Sequence, residues 1–164
     1  WAERYDPDFG RLLSADPAYA KAILSIGRGG KKPRKDFATW QDVKPYLSFF
    51  YDELFTVEDA YDAAFPKSDI RRALEDFLGS YDPADDMNAW FDKIKAVADR
   101  LGYASDMKAY KANPEAYPGS VADVSMFLGV AVTGRLNSPD MYAVMQILGP
   151  ERVRSRIRRM IDSL

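Results

Sequence analysis

The sequence predicts an all-α fold, a two-part helical bundle or cage of about eight or nine helices of ordinary length. Apolar residues recur three and four positions apart along most of the chain, as an amphipathic helix requires. Such stretches follow capping residues (Asp16-Pro17, Asp82-Pro83, Ser138-Pro139) and stop at Gly27, Gly79, Gly102, Gly134 and Gly149. No alternating run is bounded by an Asn-Gly or Asp-Gly turn, so strand signals are weak throughout.

Taken in order, Asp16 caps and Pro17 opens a helix through Leu24, with Tyr19, Ile23 and Ile26 on its apolar face. Gly27–Lys35 then carries five cationic residues and no acidic one, with glycines and a proline that favour an irregular joint. Asp36 is expected to cap a second helix with Phe37, Trp40, Val43 and Leu47 buried and Pro45 as a kink. The aromatic run Tyr46–Tyr51 reads as core. Thr56 and Asp59 have capping-box spacing and predict a short helix over 57–64. Pro66 and Ser68 open another, with Ile70, Leu74, Phe77 and Leu78 inside and Gly79 at its end. Asp82-Pro83 starts a long helix that buries Trp90, Phe91, Ile94, Val97 and Leu101 and stops at Gly102.

Residues 103–119 hold Tyr103, Tyr110, Tyr117, Lys108, Lys111 and two prolines, and read as a loop with a short helical turn. Gly119-Ser120 begins the most apolar helix, through Val121, Val124, Phe127, Leu128 and Val130 to Thr133-Gly134, broad enough in apolar character to be buried all round. Ser138-Pro139 restarts a helix over Asp140–Leu148. Pro150 starts the last, where Val153, Ile157, Met160 and Ile161 alternate with arginines.

With 164 residues the chain makes one sizeable domain or two small ones sharing a core. The acidic stretch Asp52, Glu53, Glu58, Asp59 and Asp62 marks the expected division into 1–55 and 56–164. No apolar run reaches the length of a membrane span, and the start is polar and aromatic, so the expectation is a soluble, cytoplasmic chain without a signal peptide. The absence of an initial methionine points to a processed or excised piece. Cysteine is absent, which removes disulfides and thiolate zinc sites. Histidine is absent too, which excludes Ser-His-Asp and Cys-His catalysis and every imidazole-ligated metal.

Carboxylate pairs at Asp85/Asp86 and Asp52/Glu53 point apart on a helix and sit where helix starts favour acids. There is no GxxxxGK[ST] loop, no strand before Gly27-Arg28-Gly29-Gly30 and no EF-hand spacing. No catalytic residue or metal ligand is therefore assigned. The net charge of −2 hides an uneven distribution: residues 26–35 are wholly basic in charge, and 150–164 carry five arginines against Glu151 and Asp162. Two readings of the joint stand side by side, a solvated linker and a phosphate- or base-holding segment. The corner Val132–Met141 has two as well: a plain turn in which Ser138 caps the next helix, and a backbone surface that reads the edges of unstacked bases.

Pro33-Arg34-Lys35-Asp36-Phe37 with Trp40 and Val43, then Val130-Ala131-Val132-Thr133-Gly134, Ser138-Pro139 and Met145–Val153, resemble the C-terminal anticodon-binding region of bacterial-type glutamyl-tRNA synthetases. The order and spacing fit nearly the whole chain. The resemblance implies an all-helical, two-part cage that binds the anticodon stem-loop of glutamate tRNA, not DNA or a membrane, in a parent expected to be a monomer. It also implies that charging, with ATP and Mg²⁺, belongs to a catalytic domain whose HIGH-like and KMSKS-like signatures are not in this sequence. No cofactor is expected in the chain itself.

By the same resemblance, Arg34 favours cytosine as the third anticodon base. The chemistry agrees: guanidinium has only donors, cytosine offers acceptors at O2 and N3, and guanine presents donors there instead. Ser138, Pro139 and Met141 match the corner that meets the other anticodon bases, and Arg28, Lys31, Lys32 and Lys35 become phosphate-facing charge. The family often has arginine where this chain has Gly129, and Arg135 is the candidate to replace it. The alternative function is a helical protein-interaction module with a basic surface. An independent enzyme is disfavoured by the missing histidine, cysteine and phosphate loop.

Overall fold

The computed structural model describes residues 1–29, 31–33 and 36–164. Among them are ten α-helices: α1 (Ala2–Tyr5), α2 (Pro7–Ala15), α3 (Pro17–Leu24), α4 (Val43–Leu47), α5 (Lys67–Ser80), α6 (Met87–Leu101), α7 (Met107–Ala112), α8 (Val121–Thr133), α9 (Met141–Leu148) and α10 (Pro150–Ser163). Three 3₁₀ turns lie at Trp40–Asp42, Ser48–Phe50 and Pro114–Ala116. No strand forms among the described residues, and the fold is all-α as the periodicity predicts.

The organising element is α8. Nine of its residues are buried, around the whole circumference, which is what its unbroken apolar sequence demands. α5, α6 and α10 pack around it and contribute Ile70, Leu74, Phe77, Ile94, Val97, Val153 and Ile157, each at 1% exposure or less. Each such side chain stabilises the fold by roughly 1.5–3 kcal/mol relative to exposure. The N-terminal elements add Phe9, Ile23, Val43, Leu47, Phe49 and Phe50 to the same hydrophobic cluster. Tyr51 stands edge-on to both Phe9 and Tyr19 there, at 6.2 Å and 5.9 Å. The aromatic run is core.

Local capping follows the sequence at several ends. Asp16 accepts from Tyr19 N at 2.9 Å, Ser120 and Asp123 form a capping box before α8, and Gly102 and Gly134 close α6 and α8 with positive φ. At other ends a neighbour takes the role. Asp36 does not cap the second helix: one carboxylate oxygen of Asp42 accepts from Ala38 N, Thr39 N and Thr39 Oγ1, so the chain stays irregular until Trp40. Trp40 is consequently 61% exposed rather than part of the buried stripe. Pro45 does not kink a helix, because it is the third residue of α4, where its missing N–H costs no bond.

Asp82 turns the chain by accepting from Ala84 N, and α6 begins later, at Met87, under Asp86. α5 runs through Gly79 to Ser80. Residues 103–119 form a closed loop: Ala104 N donates to Gly119 O and Val121 N to Ala104 O, so α7 stands on a root sealed by buried Tyr103.

Candidate nucleic-acid interface

The helix predicted over 57–64 does not form; residues 55–62 have no regular structure. Their polar groups are engaged far along the chain instead. Glu58 N and Asp59 N both donate to Gly134 O, at 2.9 and 3.0 Å, and the Asp59 carboxylate accepts from Leu136 N at 2.7 Å. The acid that looked like half of a local capping box thus holds the α8–α9 corner. The segment lies so close that a Cβ on Gly134 would stand 2.2 Å from Thr56 O.

The corner is fixed on its other sides as well. Gly134 N donates to Val130 O and Thr133 Oγ1 to Gly129 O, satisfying carbonyls that a helix end leaves open. Asp140, not Ser138, caps α9 by accepting from Ala143 N at 2.8 Å. Ser138 Oγ lies 3.2 Å from Met141 Sδ, so two of the residues singled out in the sequence are neighbours. Pro139 between them in the chain is buried, while Leu136 is 50% exposed. Position 129 faces this corner: a Cβ on Gly129 would meet Ser138 Oγ at 3.6 Å and Arg135 O at 3.8 Å, ordinary contact distances.

Arg135 turns inward. Its Nη2 donates to Glu58 Oε1 at 2.8 Å and to Ser48 Oγ at 3.1 Å, its side chain is 15% exposed, and its Nε has no hydrogen-bond partner among the described residues. Through Ser48 it ties the corner to the segment that follows the basic joint. Of that joint, Gly27 turns at φ +68°, the Arg28 guanidinium sits 4.1 Å over the Phe37 ring, and Lys31 and Lys32 are exposed. Arg34 and Lys35, both assigned roles in the sequence, lie outside the described residues, as does Gly30.

Behind the corner is a group that the sequence does not single out. Arg156, on the arginine-rich last helix, is 3% exposed. Its Nη1 donates to Val132 O at 2.9 Å and its Nη2 to Asp52 at 2.8 Å, with the guanidinium 3.8 Å over the Phe55 ring. Burial lowers its pKa from the ordinary arginine value and the Asp52 carboxylate opposes that shift. Arg152 pairs with the other Asp52 oxygen at 3.1 Å and donates to Tyr19 OH at 3.0 Å. Tyr19 in turn donates to Phe50 O, and burial raises the pKa of its hydroxyl. Arg154 reaches Tyr81 O at 3.2 Å. Three of the five C-terminal arginines therefore hold the protein together. The acidic stretch that begins at Asp52, set against the excess of arginine at the C-terminus, is the one hint of this in the sequence.

Asp85 and Asp86 are structural: Asp85 pairs with Lys93, and Asp86 is the α6 cap. No helix of the described residues is long and apolar enough to cross a membrane.

Comparison with known proteins identifies the family. The chain is 48% identical over 163 residues to a glutamate–tRNA ligase of Sorangium cellulosum (strain So ce56), covering 98% of this chain and 28% of that protein. It is 41% identical over 165 residues to a glutamate–tRNA ligase of Clostridium perfringens (strain SM101 / Type A), covering 98% of this chain and 30% of that protein. A more distant glutamate–tRNA ligase, of Gloeobacter violaceus, is 26% identical over 152 residues, covering 91% and 24%. The chain thus spans less than a third of the length of these relatives. A family model described as "Anticodon binding domain" matches residues 31–161, a span that contains both the corner and most of the basic joint, and the chain belongs to that family.

Proposed function

We propose that this chain recognises the anticodon stem-loop of glutamate tRNA, on behalf of an ATP-dependent ligase whose catalytic groups lie elsewhere. The observation that carries the proposal is the corner itself: a backbone turn locked from three sides, with Ser138 and Met141 adjacent and Pro139 buried. Bases are read by rigid donors and acceptors, and a turn whose own polar groups are satisfied keeps its edge in place. Ser138, Pro139 and Met141 meet the first bases of the anticodon, and Arg34 meets the third. Arg135 serves the same surface by holding the corner against Ser48 and Glu58.

Arg28, Lys31, Lys32 and Lys35 supply phosphate-facing charge around the joint. The division into 1–55 and 56–164 belongs to the same reading: the first part carries the joint and the second the corner, with Arg135 and Arg156 crossing between them. ATP and Mg²⁺ belong to the parent's chemistry. Neither ATP signature nor a phosphate loop occurs in this sequence, and no step through either group is assigned to these residues. The alternative, a protein-interaction module with a basic surface, has less support, because Arg152, Arg154 and Arg156 are committed internally.

Titration of the native chain with two anticodon stem-loops that differ only in the third base, C or G, tests the reading. Tighter binding of the C loop is expected. Equal affinity for both loops contradicts it.

A further inference from the structure

A cavity opens beside Arg156, whose Nη1 holds the root of the corner. Asp52, Phe55, Glu151, Arg152, Ser155, Arg156 and Arg159 line a cavity of about 450 Å³. Three of these residues are cationic and two anionic, and the two anions are not equivalent. Both Asp52 oxygens are already occupied, one by Arg152 and one by Arg156. Glu151 is exposed at the rim.

Arg159 is exposed and makes no ion pair or hydrogen bond among the described residues, and the half-buried Ser155 hydroxyl makes none either. The cavity therefore presents a free guanidinium and a free hydroxyl one helical turn apart, at i and i+4, which face the same way. A planar fork of donors beside a hydroxyl suits an oxyanion, phosphate or carboxylate, and not an apolar ligand; beside a corner that reads bases, the oxyanion at hand is a phosphate.

The location says which phosphate. One face of the Arg156 guanidinium covers Phe55 in the cavity, and its Nη1 holds Val132 O, at the root of the corner. Along the other wall, Phe55 is three residues from Glu58, whose N–H binds the corner at Gly134 O, so the cavity wall and the corner are joined by a segment of at most about 10 Å. A single strand whose bases are read at the corner carries one phosphate per nucleotide, so its backbone extends beyond the corner on either side. The geometry points to a phosphodiester site for the RNA backbone at Ser155 and Arg159, with Arg152 as its inner wall. The choice of RNA over a free anion rests on the anticodon reading above.

The test uses the full chain and the two stem-loops, titrated across a salt series, with Arg159→Gln, Glu151→Gln and, as a control, the exposed Arg158→Gln, which does not line the cavity. Arg159→Gln is expected to weaken both loops alike, by about threefold, to lower the salt slope by about one contact, and to leave the C-to-G ratio intact. Glu151→Gln is expected to tighten both. An Arg159→Gln chain whose affinity and slope match those of Arg158→Gln overturns the proposal. So does a chain in which inorganic phosphate shifts the NMR signals of Ser155 and Arg159 while stem-loop binding ignores Arg159, since the cavity then takes a free anion only. Loss of base discrimination by the native chain contradicts the anticodon reading instead, and a slope change at Arg159 in that chain still supports the phosphate site.

Discussion

Thr56 leaves no room for a side chain at Gly134: its carbonyl oxygen lies 2.2 Å from where a Cβ would stand, and Gly134 already turns at φ +75°. Both the conformation and the contact require glycine, and the contact is with backbone, which cannot swing aside. Gly102 is the natural comparison, with φ +74° and nothing within 4 Å of its Cβ position. Gly102→Ala is expected to cost about 1 kcal/mol, the left-handed penalty alone. Gly134→Ala is expected to cost about 3 kcal/mol, because residues 56–59 must also move. Urea denaturation of both variants checks the difference.

Arg156 joins α10 to α8 and to Asp52 through one buried guanidinium. Arg156→Met leaves the buried Val132 O without its donor, while the exposed Asp52 keeps Arg152, and a loss of about 2 kcal/mol is expected, the cost of an unsatisfied buried acceptor. Asp52→Asn, at the more exposed partner, is expected to cost about 1 kcal/mol. Arg156→Lys does not rescue, since an ammonium cannot hold a carbonyl, a carboxylate and a ring face from one plane. Thermal unfolding of the three variants gives the order.

Two core-facing tyrosines, Tyr51 buried and Tyr61 half-buried, behave oppositely. The Tyr51 hydroxyl is buried with no hydrogen-bond partner among the described residues, whereas Tyr61 OH donates to Phe127 O at 3.0 Å. Tyr51→Phe is expected to be neutral or stabilising, and Tyr61→Phe to cost about 1 kcal/mol. Denaturant midpoints of the two single variants decide it.

The same burial sets the alkaline limit. It pushes Tyr51 and Tyr103 up to about 12 and raises Tyr61 further, all from an ordinary value of 10.0. Their folded-state values exceed the unfolded ones, so the unfolded chain loses these protons first. The stability they contribute is complete below pH 10 and falls as pH rises towards 12. Alkaline unfolding of native and Tyr51→Phe chains, followed by tyrosinate absorbance, is expected to show a shallower decline in the variant.

What the sequence made legible was what neighbours in sequence decide. Asp16 before Pro17, Ser120 with Asp123 and the unbroken apolar α8 were readable because each depends on residues within a turn or two. The helix over 57–64 failed for the opposite reason. Thr56 and Asp59 have capping spacing, but Gly134 and Leu136, more than seventy residues on, compete for those backbone and carboxylate groups and win. Trp40 faces inward only on a helix that begins at Asp36, and the cap is at Thr39 instead. Arg156 could not be read at all, since nothing local separates a buried arginine from the exposed Arg158 and Arg159 beside it. Within the candidate site, Ser138, Pro139 and Met141 do come together, whereas Arg135 faces Glu58 and Ser48.

The central claim is that Arg34 reads the third anticodon base through donors that suit cytosine and oppose guanine. The direct measurement is the ratio of affinities for the C and G stem-loops, in the native chain and in Arg34→Gln, at one salt concentration. A native preference for C worth roughly 1–3 kcal/mol, about fivefold to more than a hundredfold, is expected, and Arg34→Gln is expected to flatten it. A preference that survives unchanged in Arg34→Gln contradicts the account.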